Sequence, residues 1–521
     1  MSHERRITGA ASIISAATAL SRVLGYIRDA VLAYVFGAGL LADAFFMAFR
    51  ISNLLRRLVG EGALTSSFIP IFTEEMNSRS KEATRELVSS VFTIFAIILT
   101  ILAVLGILFS KEIVSIMAPG FLADPEKFSL TVSLTRWMFP YMIFIGLMAI
   151  AMGVLNSYKH FTAPALAPVL FNLAIIASVF AIAPFISSPV YAIVAGVLVG
   201  GALQLFLQLP YLSRFGMFPG LSFKFNDSAI KKIFILMGPA TFGIGVYQLN
   251  IFVTMWFASQ LPEGAVSYLY YAGRLMELPL GVFGVSVTTA VLPSLSEHVA
   301  KKEWDAFKRS LSFAVRLVNF VMIPATIGLI ILSYPIVEAL FMRGEFTPQD
   351  AAATSVALYF YSAGLVPVAV SRILTSVFYS LKDTATPVWV AAIAFIFNTF
   401  FCFVLIGPLG HGGLALATTL ASAVNCVMLF VILRLKFGRI GMKEMAWSAL
   451  KASAASAVMG ALVYFVAFKS IGVTGGLGKT FLLTACLSIG IVTYIIASKY
   501  MQVPELVFLK GFLSRRGKKA G

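Results

Sequence analysis

Charge is what this chain has least of. Lysine, arginine, aspartate and glutamate make up 12% of the 521 residues, and 59% are hydrophobic. A soluble domain is about 25% charged and about 45–50% apolar, so a soluble globule is excluded and the chain reads as a polytopic membrane protein. Cysteine is scarcer still. Cys402, Cys426 and Cys486 all lie in apolar runs, and no two have C-x-x-C spacing, which removes a disulfide framework and a zinc knuckle. The four histidines, His3, His160, His298 and His411, are scattered, with no acidic or histidine cluster beside them, so no metal site is expected. Acidic residues are also few, 23 against 40 basic ones, for a formal net charge of +17. Whether that balance means nucleic acid depends on where the cations sit.

A helix crossing the hydrocarbon core needs about 20 apolar residues. Runs between charged or Pro/Gly-rich breaks predict fourteen spans, at 8–36, 41–58, 86–110, 129–155, 164–186, 190–212, 232–258, 266–292, 311–333, 351–379, 385–407, 412–436, 446–468 and 478–500. Residues 62–77 are expected to continue the second span as a surface helix. The N-terminal run continues through Arg22 to Phe36, which predicts an uncleaved first helix rather than a signal peptide. With the N-terminus inside, cytoplasmic segments hold 29 of the 40 lysines and arginines. Counting the cations near a span's end with the adjoining loop, outer loops hold five (Lys111, Lys127, Arg343, Lys469, Lys479) and the span interiors hold six. This asymmetry predicts both termini in the cytoplasm and explains the basic balance without nucleic acid. The tail "KGFLSRRGKKAG" reads as an anchor beside anionic membrane lipid.

The chain also repeats itself. "NSYKHFTAP" (156–164) and "YSLKDTATP" (379–387) superpose after a shift of 223 residues, and "AFRISNLL" (48–55) meets "AGRLMELP" (272–279) one register away. The unit holds six spans, an even number, so both copies enter the membrane in the same sense. Parallel repeats of this kind place a transported substrate between the halves. The expected fold is therefore an all-α polytopic membrane protein of 14 transmembrane helices. An N-lobe (1–213) and a C-lobe (214–437), six helices each, are followed by an added helix pair with a basic tail (438–521).

Charges inside the spans are costly and mark function. The six cations are all arginine: Arg22, Arg28, Arg50, Arg136, Arg274 and Arg372. The acids are Asp29, Asp43 and Glu277. Arg22 and Asp29 share a helix face, as do Asp43, Arg50 and Arg57, with Asn53 beside them; Arg274 and Glu277 are adjacent. If these stripes face one another they line a positive central cavity. Guanidinium is always charged and grips phosphate or carboxylate through a planar fork, so the cavity suits an anionic, phosphate-bearing substrate and not a cationic drug. Structural readings compete: Arg56 and Arg57 as snorkelling residues, Arg136 and Arg372 as paired or surface-reaching ones, and Arg274–Glu277 as a closed ion pair. Pro279, Gly281 and Gly284 in the eighth span, and Gly238, Pro239, Gly243 and Gly245 in the seventh, permit bending. A membrane transferase would need paired acids on a loop, and the outer loops have only scattered ones; no catalytic residue is assigned. A non-transporting scaffold would not need a charged interior.

"SRVLGYIRDA", "ADAFFMAFRISNLLRR", "EGALTSSFIPIF" and "YYAGRLMELPLGVFGVSVTTAVLPSLS" resemble signature segments of the MurJ (MviN) lipid II flippases, of the multidrug/oligosaccharidyl-lipid/polysaccharide exporter superfamily. The resemblance implies a transporter, not an enzyme, in the bacterial cytoplasmic membrane. It would move the undecaprenyl-diphosphate-linked peptidoglycan precursor from the inner to the outer leaflet. Functional positions carried over are Ser21, Arg22, Arg28 and Asp29 in the first span, Asp43, Asn53 and Arg56 in the second, and Arg274 and Glu277 in the eighth. On this expectation Arg28, Arg56 and Arg274 clamp the diphosphate, the acids hold or separate the arginines, and the added helix pair takes the lipid tail. Partners implied are the lipid-linked precursor, membrane lipids and cell-wall synthesis proteins. No cofactor is expected. Where some relatives carry an acid in the seventh span for sodium, this chain has Gln248, Asn250 and Thr254, so membrane potential stands beside a monovalent ion as the drive. The alternatives are a flippase for another polyprenyl-diphosphate oligosaccharide and a cation-coupled drug exporter.

Overall fold

The computed structural model describes residues 3–56, 63–469 and 476–506; these form helices, with no strand among the described residues. The chain divides into two compact units, Met1–Ser267 with Arg343–Phe346, and Tyr268–Met342 with Thr347–Gly521.

The first unit holds α1 (His3–Phe36), α2 (Leu40–Arg56), α3 (Ala63–Ser78), α4 (Lys81–Leu108), α5 (Ser110–Met117), α6 (Pro125–Met138), α7 (Tyr141–Ser157), α8 (Thr162–Ala181), α9 (Val190–Phe206), α10 (Leu209–Arg214) and α11 (Ser228–Ala258), with the first turn of α12 (Ala265–Pro279). Residues 62–77 were expected on the surface. Instead Leu64, Phe68 and Phe72 of α3 are buried, Phe68 and Phe72 stack 5.2 Å apart, and α7 and α11 flank them. These three residues lie four apart and form one apolar stripe that is solvated only at a cost. The seventh candidate span, α11, packs with this unit. Its N-cap Asp227 accepts from the Ala229 N–H and grips both terminal nitrogens of Arg79 at 2.5 and 2.9 Å. The Arg79 hydrogen bond holds the Asp227 carboxyl below the usual carboxylate range.

The second unit continues α12 through a π turn at Leu280–Gly284 into α13 (Val285–Ala300). It then adds α14 (Trp304–Ile331), α15 (Ser333–Phe341), α16 (Pro348–Ala363), α17 (Leu365–Ser380), α18 (Ala385–Phe437), α19 (Met442–Lys469) and α20 (Gly476–Tyr500). Its core gathers Phe307, Leu311, Val318, Leu365, Ile373, Phe378, Leu429 and Leu433. The π turn follows Pro279, whose missing N–H breaks the regular ladder. The added helix pair is tied to α14 and α15: Arg316 faces Glu505 at 3.3 Å, Ser448 donates to Glu505 at 2.9 Å, and Lys479 pairs with Glu338 at 2.9 Å.

The duplication is written in the helix boundaries. α4 and α14 begin at Lys81 and Trp304, α5 and α15 at Ser110 and Ser333, α6 and α16 at Pro125 and Pro348, α8 and α18 at Thr162 and Ala385, each pair at the sequence offset. Capping chemistry explains the match. Asp124 accepts from the Glu126 and Lys127 N–H groups ahead of Pro125, while Thr347 and Asp350 form a capping box around Pro348; an N-cap of this kind is worth about 1 kcal/mol. Lys159 and Lys382, superposed by the repeat, both adopt left-handed backbone (φ 59° and 60°). Each closes its helix with the same pair of bonds, Lys159 N–H to Asn156 and His160 N–H to Leu155, Lys382 N–H to Tyr379 and Asp383 N–H to Phe378.

Among the described residues eight helices are long and apolar enough to cross a membrane, or nine if α16 and α17, bent by 43°, count as one span. The candidate spans 385–407 and 412–436 run together in α18, which bends at Gly410 (φ 54°). The count of fourteen is thus an expectation beyond what helix length and composition establish.

Candidate functional site

The charged residues of α1 separate into two environments. Arg28 is 9% exposed and Asp29 is fully buried. Arg28 donates from Nε and one terminal nitrogen to Asp29 Oδ1, at 3.0 and 2.6 Å, and from the other to Asn172 Oδ1 on α8 at 3.1 Å. The Asn172 amide nitrogen donates back to the Ser21 carbonyl at 3.0 Å. Ser21 and Arg28 stand two helical turns apart, on the side of α1 that meets α8, so one asparagine fastens both. Arg22 is different. It is half-buried, as is Arg50 on α2, and neither has a side-chain partner among the described residues.

Asp43 occupies a separate place. It is 1% exposed and accepts four hydrogen bonds: Lys127 Nζ at 2.6 Å, Gly264 N–H at 2.8 Å, and the N–H and hydroxyl of Ser267 at 2.9 and 2.6 Å. Lys127, itself 5% exposed, also lies 4.3 Å from the Phe121 ring centre. A reciprocal contact runs from the Leu40 N–H to Glu263 at 2.5 Å. Each carboxylate meets N–H groups at the other segment's helix start, where both charge and dipole favour an anion. The cluster joins α2, α6 and the first turn of α12.

The other predicted residues fall as follows. The Asn53 amide donates to the Phe49 carbonyl at 2.9 Å. Arg56 ends α2, and its side chain lies outside the described residues, as do Arg57 and the tail from 507. In the second unit Arg274 pairs with Glu277 at 3.1 Å, with side-chain exposures of 29% and 62%; an open pair of this kind is worth little to stability. Arg136 is exposed and donates to the Ser110 hydroxyl at 2.7 Å, and Arg372 is exposed. Ser21, Arg28 and Asp29 are therefore brought together, while Asp43 is held elsewhere. Asn172, Lys127 and Ser267 escaped the sequence reading. A mid-span asparagine was a visible signal for the first; the lysine and serine looked like ordinary loop and helix-start residues.

The first unit thus holds guanidinium groups in apolar helices: Arg28 is restrained by a carboxylate and an amide, and Arg22 and Arg50 have no side-chain partner among the described residues. Guanidinium is a group suited to gripping anions. The sequence profile described as "Lipid II flippase MurJ" matches residues 32–485. The probable lipid II flippase MurJ of Vibrio cholerae is 34% identical over 500 residues, 94% of this chain and 95% of that one. The lipid II flippase MurJ of Burkholderia cenocepacia is 38% identical over 425 residues, 81% and 82% of the two chains. A solved structure titled "Lipid II flippase MurJ, inward closed conformation" superposes with a TM-score of 0.79 at 29% identity, covering 96% of this chain and 99% of that one. An inward-facing multidrug transporter of the MATE family and MOP superfamily shares the fold, with a TM-score of 0.67 at 14% identity over 81% of this chain and 96% of that one. This chain belongs to the lipid II flippase MurJ family.

Proposed function

We propose that this chain carries lipid II, the undecaprenyl-diphosphate-linked peptidoglycan precursor, from the inner to the outer leaflet of the bacterial cytoplasmic membrane by alternating access. The observation that carries the reading is Arg22, a permanent cation in an apolar helix, half-buried and without a partner among the described residues. Such a group is retained at membrane depth for an anionic ligand. Arg22, Arg50 and Arg274 receive the diphosphate in an arginine-lined central cavity, with Arg56 a further member of the set. Arg28 is stored on Asp29 and passes to the diphosphate when the head group arrives, because a doubly charged oxyanion outcompetes a single carboxylate for the fork. Asp29 and Glu277 take their arginine partners back as the head leaves, while Asp43 stays on Lys127.

The lysine–arginine asymmetry puts both termini in the cytoplasm. A potential negative inside then pushes an anionic head outward, by about 2.3 kcal/mol per charge per 100 mV. The seventh span offers Gln248, Asn250 and Thr254 and no acid, which favours potential over sodium as the drive. The polyprenyl tail stays in lipid beside the α19–α20 pair. Leaflet translocation of a labelled precursor in proteoliposomes tests the reading; transport of a cationic dye in its place would return the drug-exporter alternative.

A further inference from the structure

We infer that Asn172 is a positioning residue that holds Arg28 for exchange with an anion while adding no negative charge of its own; the inference rests on the transport reading above. Arg28 uses its terminal nitrogens on two different acceptors, Asp29 Oδ1 at 2.6 Å and Asn172 Oδ1 at 3.1 Å. Asn172 is 6% exposed and both ends of its amide are engaged, the oxygen by Arg28 and the nitrogen by the Ser21 carbonyl. The amide therefore fixes the plane of the guanidinium from a second helix, across 144 residues of sequence.

Aspartate has the same shape and is the better acceptor for arginine, but it is acceptor-only and could not donate to the Ser21 carbonyl. Nor could aspartate supply neutrality. A second carboxylate on Arg28 would lock the fork and place a negative charge where the diphosphate must come. At an effective dielectric near 20, a unit charge roughly 10 Å from a phosphate weakens its binding by about tenfold or more. The neutral partner gives up its single hydrogen bond readily and repels nothing.

The test compares Asn172→Ala with Asn172→Asp in purified full-length protein, reading two quantities: apparent melting temperature and affinity for a labelled polyprenyl-diphosphate lipid in nanodiscs. Asn172→Asp keeps an acceptor for Arg28, so it is expected to melt at or above Asn172→Ala, yet to bind the lipid about tenfold more weakly than Asn172→Ala. Stability and affinity should rank the two variants in opposite orders. If affinity follows stability, Asn172 is merely structural and the assignment is overturned. Wild-type protein that does not bind the lipid at all would overturn the transport reading and this assignment with it, while wild-type binding with equal affinity for both variants would overturn this assignment alone.

Discussion

Asp43 invites a quantitative test, because its four donors are unequal. Asp43→Ala strands the Lys127 ammonium, 5% exposed, and removes the acceptor of the Gly264 and Ser267 N–H groups. Breaking a buried ion pair by deleting one partner costs about 3–5 kcal/mol, and each N–H left without its cap adds roughly 1 kcal/mol. The total is roughly 5–7 kcal/mol, comparable with the whole stability of a typical domain of about 5–15 kcal/mol. Lys127→Met is expected to be milder. Asp43 then keeps three donors, two N–H groups and a hydroxyl, and the loss should be about 1–3 kcal/mol. Asp43→Asn combined with Lys127→Met should recover part of the loss of Asp43→Asn alone, since no charge is left stranded. Apparent melting temperature in detergent, with retention of a monodisperse species, reads all four proteins. Asp43→Ala melting like the wild type, or a double variant whose losses simply add, would show that Asp43 and Lys127 do not form one unit and refute the reasoning.

Three further outcomes follow from particular residues. The hydrogen bond from the Lys436 ammonium, aided by the Thr386 N–H and hydroxyl and opposed by burial, holds the Asp383 carboxyl down to about 2. A depressed folded-state value stabilises above the unfolded value of about 3.9 and is lost as pH falls through the folded one. Asp383→Asn should therefore destabilise the α17–α18 junction at pH 6 and match the wild type near pH 2, as read by hydrogen exchange; a constant difference across that window would contradict the assignment. Gly344 has a φ of 60°, and a Cβ there would lie 2.2 Å from the Tyr34 carbonyl oxygen. Gly344→Ala should cost at least about 1–2 kcal/mol from backbone alone, visible as a lowered melting temperature, whereas an unchanged one would mean that the hydrogen bond from the Glu345 N–H to the Tyr34 carbonyl, 3.0 Å long, is not formed in the membrane. Lys159→Gly should raise stability by up to about 1 kcal/mol by relieving left-handed backbone, and a loss would show that the lysine side chain matters more than its φ.

Much of the fold could be read before any coordinates. Pro125 after Asp124 and Pro348 after Thr347 announce helix starts by capping chemistry alone, and the 223-residue offset that joins Lys159 to Lys382 reappears as identical left-handed turns. Membership of the family was legible too, because its motifs are local strings. What stayed hidden were pairings between distant segments. Arg28 looked like an open clamp, since nothing in the string places Asn172, 144 residues on, against it. Lys127 was counted as an outer-loop cation for the same reason: hydropathy registers the charge and not the buried carboxylate of Asp43 that meets it. The stripe of α3 was read as a surface face because its partner α11 is far along the chain. Periodicity gives the face of a helix; it does not say which helix covers that face.

The central claim is that arginines set in apolar helices accept a diphosphate head and let it cross. Its most direct measurement is translocation of fluorescent lipid II across proteoliposomes holding purified wild-type, Arg22→Ala or Arg274→Ala protein under an imposed potential, with equal incorporation and matching melting temperatures. The account predicts outward transfer by the wild type, faster with the source side negative, and loss of transfer in both variants. Undiminished transfer by folded Arg22→Ala and Arg274→Ala proteins would contradict it.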